Sequence, residues 1–373
     1  MRIGIFTSWV DTPFYTGVSY YICGLANYLP RTDRHEYTLV HFQEDDNKIY
    51  KRAKEMIFSF PAFLPETIKI ELGVRRASHA LDVIHIPWQV GFFLPVNCAK
   101  VITVHELTPI IFPEIQTRFW VFLHRYFMPR ILKKVDMVIT VSESTKRDLM
   151  KYMSVPETKI KTIYQGVDTE MYKVLPLSNI ESIRRKYQLD FPYILYVGNI
   201  EPKKNIPTLL KAFSAVCQES RNNYRLVIVG KKLWKYQPTL NTVRALNLQD
   251  KVIFLGYVPE NDLPGIYNAA SLFVFPSIYE GFGRPLLEAM MCGVPVITSN
   301  SSSMPEVVGD AGITVDPYDV PALAMAINQV LTDDKLRTTL TKKGLERAKF
   351  FSWQKCAEET LAVYEEAHRK ANY

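Results

Sequence analysis

The chain has 373 residues, of which 45 are basic and 38 acidic, for a net charge of +7, with five cysteines. That length exceeds what one hydrophobic core organises, so two domains are expected, and the mild basic excess suits anionic ligands or an anionic membrane surface without requiring nucleic acid. No apolar run reaches the ~18 residues of a membrane span, the cysteines lack a CxxC pair that would suggest disulfides or zinc, and the N-terminus reads as a strand instead of a signal peptide, which together point to a cytoplasmic protein.

Strand and helix patterns alternate twice along the chain. The first strand, 2–7, leads into a loop that ends at Gly17, ahead of a helical stretch at 18–29. Strands follow at 37–41, 83–86, 100–104 and 137–141, with a helical stretch at 117–132 before the last of them. His105 and Glu106 follow strand 100–104; a histidine at a strand end is ordinarily a structural hydrogen-bonding residue, and His85 and His124 are weaker candidates for chemistry. Residues 118–134, RFWVFLHRYFMPRILKK, interleave aromatics with cations as interfacial helices do. Packing as a crossover helix with a basic outer face is the preferred reading, because Pro129 interrupts the periodicity.

A strand-like segment at 161–164 precedes a boundary expected within 167–177, dividing residues 1–170 from 175–350, with 352–373 as a final helical segment. In the second half, strand 193–197 is followed by Gly198 and Asn199, and then by Lys203 and Lys204 before a helix at 206–216. Two lysines in a loop are usually just solvated, but here they stand beyond a strand end, where cations would suit an anionic ligand. Strands at 226–229 and 252–255 follow, the latter leading into Tyr257 and Val258, and the last two are 272–275 and 296–298. Apolar runs without alternation indicate strands buried on both faces, hence parallel, doubly wound α/β sheets whose ligands bind beyond the carboxyl ends of the strands.

The segment 277–295, SIYEGFGRPLLEAMMCGVP, carries the most chemistry. Gly281 and Gly283 permit a tight turn around Phe282, and Arg284 leads into a helix expected to begin at Pro285. A helix N-terminus attracts anions, phosphate above all. Glu280 and Glu288 flank that anion site, with Leu287 between them and the turn; carboxylates there suit the hydroxyls on either side of a diphosphate, although two solvated glutamates on a capped helix remain an alternative.

The run from Glu280 to Glu288, with Gly293 and Pro295 beyond it, resembles the signature of the retaining glycosyltransferases of family 4. Further matches stand in order at Val197, Gly198, Glu201, Pro202, Lys203, Lys204 and Asn205, then at 227–230 and 254–256, so the resemblance covers nearly the whole chain. It implies a GT-B fold, two Rossmann-like doubly wound domains facing a central cleft, with the final helix crossing back to the first domain. It also implies that His105 contacts the transferred sugar, Gly17 the phosphates, and Val258 the base through its backbone, with Glu280 on sugar hydroxyls and Glu288 on the ribose. The family usually places an arginine where Asn199 stands; Lys204 matches the downstream lysine, and Lys203 or Arg284 is left to replace the missing charge.

The resemblance implies retaining transfer of a hexose from a nucleoside diphosphate sugar, UDP-glucose being favoured and GDP-mannose its rival, to a saccharide or lipid-linked acceptor. No cofactor and no metal are expected, since no Asp-x-Asp pair stands at a strand end and Asp45 with Asp46 falls in a loop. A lipid-linked acceptor would bring peripheral membrane contact through 118–134. Epimerase, phosphorylase and non-catalytic carbohydrate-binding functions share the fold; a dinucleotide oxidoreductase is disfavoured because no GxGxxG follows either first strand.

Overall fold

The computed structural model describes residues 1–10, 16–42, 49, 53–89, 91, 93–219, 223–233 and 235–371. The chain divides into two compact units, Met1–Gly166 with Ser352–Tyr373, and Val167–Phe351.

In the first unit seven strands are described: β1 (Arg2–Phe6), β2 (Glu36–His41), β3 (Lys54–Ile57), β4 (Val83–Ile86), β5 (Ala99–Val104), β6 (Met137–Thr140) and β7 (Ile160–Thr162). They form one parallel sheet in the order β3-β2-β1-β4-β5-β6-β7. The central segments VIHI and MVIT are buried at every position, as strands covered on both faces must be. The helix Trp353–Ala371 packs on this sheet, and its Tyr364 hydroxyl lies 2.7 Å from Nδ1 of His85.

The second unit holds β8 (Tyr193–Val197), β9 (Arg225–Val229), β10 (Val252–Gly256), β11 (Leu272–Phe275), β12 (Val296–Ser299) and β13 (Gly312–Val315). These are parallel in the order β10-β9-β8-β11-β12-β13. Gly198 and Gly230 stand just past the carboxyl ends of β8 and β9 with φ of 152° and 143°. A Cβ on Gly230 would lie 2.0 Å from the Gly198 carbonyl oxygen, so only glycine lets the two chain segments pass.

The stretch expected to pack as one helix at 117–132 is two, Arg118–Tyr126 and Met128–Lys134. The break falls at Phe127, ahead of Pro129, which has no N–H to continue the ladder. Packing is also not what the first of them does: His124 is its one buried residue. Among the described residues no helix is long and apolar enough to cross a membrane.

Candidate functional site

In the second unit the chain leaves β11 and crosses to the helix Arg284–Met291, which begins one residue before the expected Pro285. Gly283 caps it with φ 96°, a conformation that L side chains rarely adopt. The intervening loop is stitched on two sides. On one, Ile278 donates its N–H to the Lys203 carbonyl at 2.8 Å, and the Asn205 amide donates to the Pro276 and Pro317 carbonyls at 3.2 and 2.5 Å. On the other, three serines beyond β12 reach back: Ser301 donates to the Ile278 carbonyl, Ser302 to that of Glu280, and Ser303 to those of Glu280 and Phe282. Sequence reading missed this clamp, whose only signal was the run of serines.

The loop sets Glu280 against both lysines. Its Oε1 is 2.7 Å from Lys204 Nζ and its Oε2 4.0 Å from Lys203 Nζ, with the carboxylate side chain 9% exposed and the lysines 13% and 11%. Lys204 Nζ also sits 5.1 Å from the Phe275 ring centroid, a cation–π contact. Two ammonium groups thus converge on one nearly buried carboxylate. Solvated glutamates are ruled out, for Glu288 is deeper still: its side chain is 1% exposed, Oε2 accepts the Tyr267 hydroxyl at 2.8 Å, and Oε1 lies 3.1 Å from Arg284 Nε. Burial, and then the Glu288 charge, push the Tyr267 phenol well above its usual range, so it stays a donor. Tyr267 was not singled out in the sequence, where it reads as core.

The other sequence candidates of this unit fall into two groups. Asn199, standing where the family places arginine, accepts the Lys231 N–H on its side-chain oxygen at 3.3 Å and so ties the ends of β8 and β9 together. Tyr257 is 67% exposed, with Lys231 Nζ 5.0 Å from its ring centroid, while Val258 is buried. Phe282 and Leu287 turn their side chains into the core, Phe282 against Phe351 at 5.8 Å between centroids, which leaves their backbone as the part able to meet a ligand. Gly281 is buried between them and Glu280. The two cations left to replace the missing arginine are both engaged, Lys203 towards Glu280 and Arg284 on Glu288.

In the first unit His105 follows β5 and is almost wholly buried. Its Nε2 lies 2.9 Å from the Pro87 carbonyl, which can only accept, so that nitrogen carries the proton. Burial lowers the imidazole below the ordinary histidine range, partly opposed by the Pro87 hydrogen bond and the Glu106 charge. A neutral ring with Nδ1 as an acceptor results. The Tyr21 ring stands nearly perpendicular to it at 5.0 Å between centroids, and Thr145 fixes its backbone by donating to the His105 carbonyl. His85 is held at both nitrogens, by Tyr364 and by Thr103, and His124 lies against the Trp120 carbonyl one helical turn back. Gly17 opens the helix Gly17–Tyr28 behind a Thr16–Ser19 capping box, and a Cβ there would meet nothing within 4 Å. Thr16 serves as the cap of that helix. Among the described residues no group of three or more His, Cys, Asp or Glu side chains is arranged to hold a metal ion, and Asp45 and Asp46 lie outside those residues.

Comparison with known proteins matches residues 179–347 to the group 1 glycosyl transferases and residues 15–171 to Glycosyltransferase Family 4. The O-antigen chain mannosyltransferase B of Escherichia coli is 37% identical over 276 residues, covering 74% of this chain and 72% of that protein. The serotype-specific mannosyltransferase WbdA of the same species is 33% identical over 234 residues, 60% of this chain but 28% of that longer protein. Among solved structures, sucrose-phosphate synthase from Thermosynechococcus elongatus superposes with a TM-score of 0.76 at 22% identity over 98% of both chains, a likeness of fold. Signature loop, paired glutamates, twin parallel sheets and these matches agree: the chain belongs to the family 4 glycosyltransferases of the GT-B fold, enzymes that act on sugar nucleotides.

Proposed function

We propose that the chain is a retaining, metal-independent mannosyltransferase that moves mannose from GDP-mannose to a saccharide or lipid-linked saccharide acceptor. The observation that carries the reaction is the nearly buried Lys204–Glu280 pair beside the N-terminus of the helix Arg284–Met291. A diphosphate arriving there exchanges with Glu280 for the ammonium of Lys204 and frees the carboxylate for the sugar hydroxyls. Lysines and helix dipole then stabilise the departing phosphate without a divalent ion. The bond from the sugar C1 to the phosphate oxygen breaks, the acceptor oxygen bonds to C1 on the same face, and the acceptor proton passes to the leaving phosphate. Glu288, held by Tyr267 and Arg284, is assigned to the ribose, and neutral His105 to a sugar hydroxyl through Nδ1.

Mannose is preferred over glucose because the relatives named above are mannosyltransferases. Thermal unfolding in EDTA with each donor tests both parts. GDP-mannose at 100 times its dissociation constant should add about 2.7 kcal/mol of stability. Stabilisation by UDP-glucose alone would reassign the donor, and loss of both effects on chelation would overturn the metal-free mechanism.

A further inference from the structure

The helices Arg118–Tyr126 and Met128–Lys134 carry a surface that sugar transfer does not account for. Phe119 is 65% exposed, and Phe122 and Tyr126 are each 50% exposed. They are not scattered: Phe119 meets Trp120 edge-on, and Phe122 contacts both Tyr126 and Phe127, with centroids 5.0 to 6.3 Å apart. The result is two aromatic clusters side by side on one short stretch of chain. Beside them lies an apolar groove of about 220 Å³, lined by Phe93, Phe119, Trp120, Leu123, Phe127 and Ile131. Contiguous exposed apolar area of this kind marks a binding surface.

Charge decides what binds. Arg118, Arg125, Arg130, Lys133 and Lys134 are all exposed, and residues 118–134 contain no aspartate or glutamate. A second copy of the chain docking by this same face would set cations against cations, since a two-fold interface pairs a patch with itself. An occupant needs an apolar interior, a negative surface and no fixed shape. A bilayer rich in anionic lipid has all three: aromatic rings enter the acyl boundary while arginines and lysines stay among the headgroups.

We propose that the face formed by these two helices docks the protein onto an anionic membrane surface. This deepens the lipid-linked acceptor reading, for it would bring the enzyme to the surface in which such an acceptor is embedded. The attachment proposed is peripheral; among the described residues no helix is long and apolar enough to cross a membrane.

Flotation of the full chain with vesicles, read without donor or acceptor, tests the proposal separately from the transfer reaction. Binding is expected to phosphatidylglycerol-containing vesicles and not to pure phosphatidylcholine, and to fall between about 0.1 M and about 1 M salt as the Debye length shrinks from ~10 to ~3 Å. Each cation removed should lower the partition coefficient roughly fivefold, so Arg118→Gln with Arg125→Gln should lower it about thirtyfold. Phe119→Ser with Phe122→Ser should abolish retention in the membrane while leaving GDP binding by calorimetry unchanged; if that variant misfolds, the arginine pair decides. Equal binding to both vesicle types, or no response to the arginine pair, would overturn the proposal. So would a dimer in sedimentation that the substitutions dissociate, since it would assign the face to a second copy.

Discussion

Around His105 the first unit buries polar groups that are neutral, whereas beside β11 the second unit buries groups that are charged. In the first, the Tyr364 hydroxyl, both nitrogens of His85, the Thr103 hydroxyl and the Tyr21 hydroxyl follow one another at 2.7, 2.8 and 3.1 Å, from the helix Trp353–Ala371 across two strands to the helix Gly17–Tyr28. Every link is hydroxyl or imidazole, and burial holds His85 down to about 3, so no charge has to be desolvated. In the second, Lys204 with Glu280 and Arg284 with Glu288 are ion pairs shut away from water. Such pairs rarely add net stability over well-packed apolar residues. Their presence at a signature loop fits groups held for exchange with a ligand, while the neutral relay fits a scaffold that holds the Tyr21 ring against His105.

The sharpest way to break this contrast is to separate charge from packing. Lys204→Ala strands the Glu280 carboxylate and should cost about 3 to 5 kcal/mol in urea unfolding, moderated by Lys203 at 4.0 Å. Replacing both partners, Lys204→Met with Glu280→Leu, should restore most of that stability without restoring turnover. A double variant as unstable as the single one would show that the pair supports the fold. The neutral cluster should instead declare itself through pH. His85 titrates near 6.5 when unfolded and about 3 when folded, so the unfolded chain binds the extra proton between those values. Stability is complete above pH 6.5 and drains away as pH falls, by roughly 2 kcal/mol at pH 5 from this residue. His85→Gln should flatten that acid limb, and an unchanged limb would mean that His85 is protonated in the native state. The smallest effect belongs to the serine clamp: Ser303→Ala removes the one hydroxyl proton shared between the Glu280 and Phe282 carbonyls, costing about 1 kcal/mol in thermal unfolding. A larger loss of transfer rate than of stability would show that the clamp serves the loop's geometry more than the fold.

Central strands were legible in the sequence, whereas two of the four edge strands were not. Strands expected at 83–86, 193–197 and 272–275 occur with those bounds, because each is an apolar run buried on both faces. β3 and β13 went unread, and β7, expected at 161–164, runs over 160–162; all three stand at sheet edges, and KEMI, exposed at three of its four positions, has no apolar run to find. For the site, Glu280, Glu288 and Lys204 could be picked out because turn glycines and charges are local signals. The partners that fix them could not. Tyr267 and Ser303 lie 21 positions away from Glu288 and Phe282, respectively, and nothing in their spacing reports the contact. The aromatic face at 118–134 failed for a different reason: an apolar helical run shows what wants to be covered, and not whether the protein itself provides the cover.

The helix Trp353–Ala371 belongs with residues 1–166, yet 185 residues of another compact unit are synthesised in between. The bond from Tyr364 to His85 closes across 279 positions of chain. On the ribosome, the second unit can therefore reach its native form while the first still has His85 without its phenol and the pocket for Cys356, Leu361 and Tyr364 open to solvent. The part of the protein that is made first is therefore the part whose core cannot be completed until the last helix has been made.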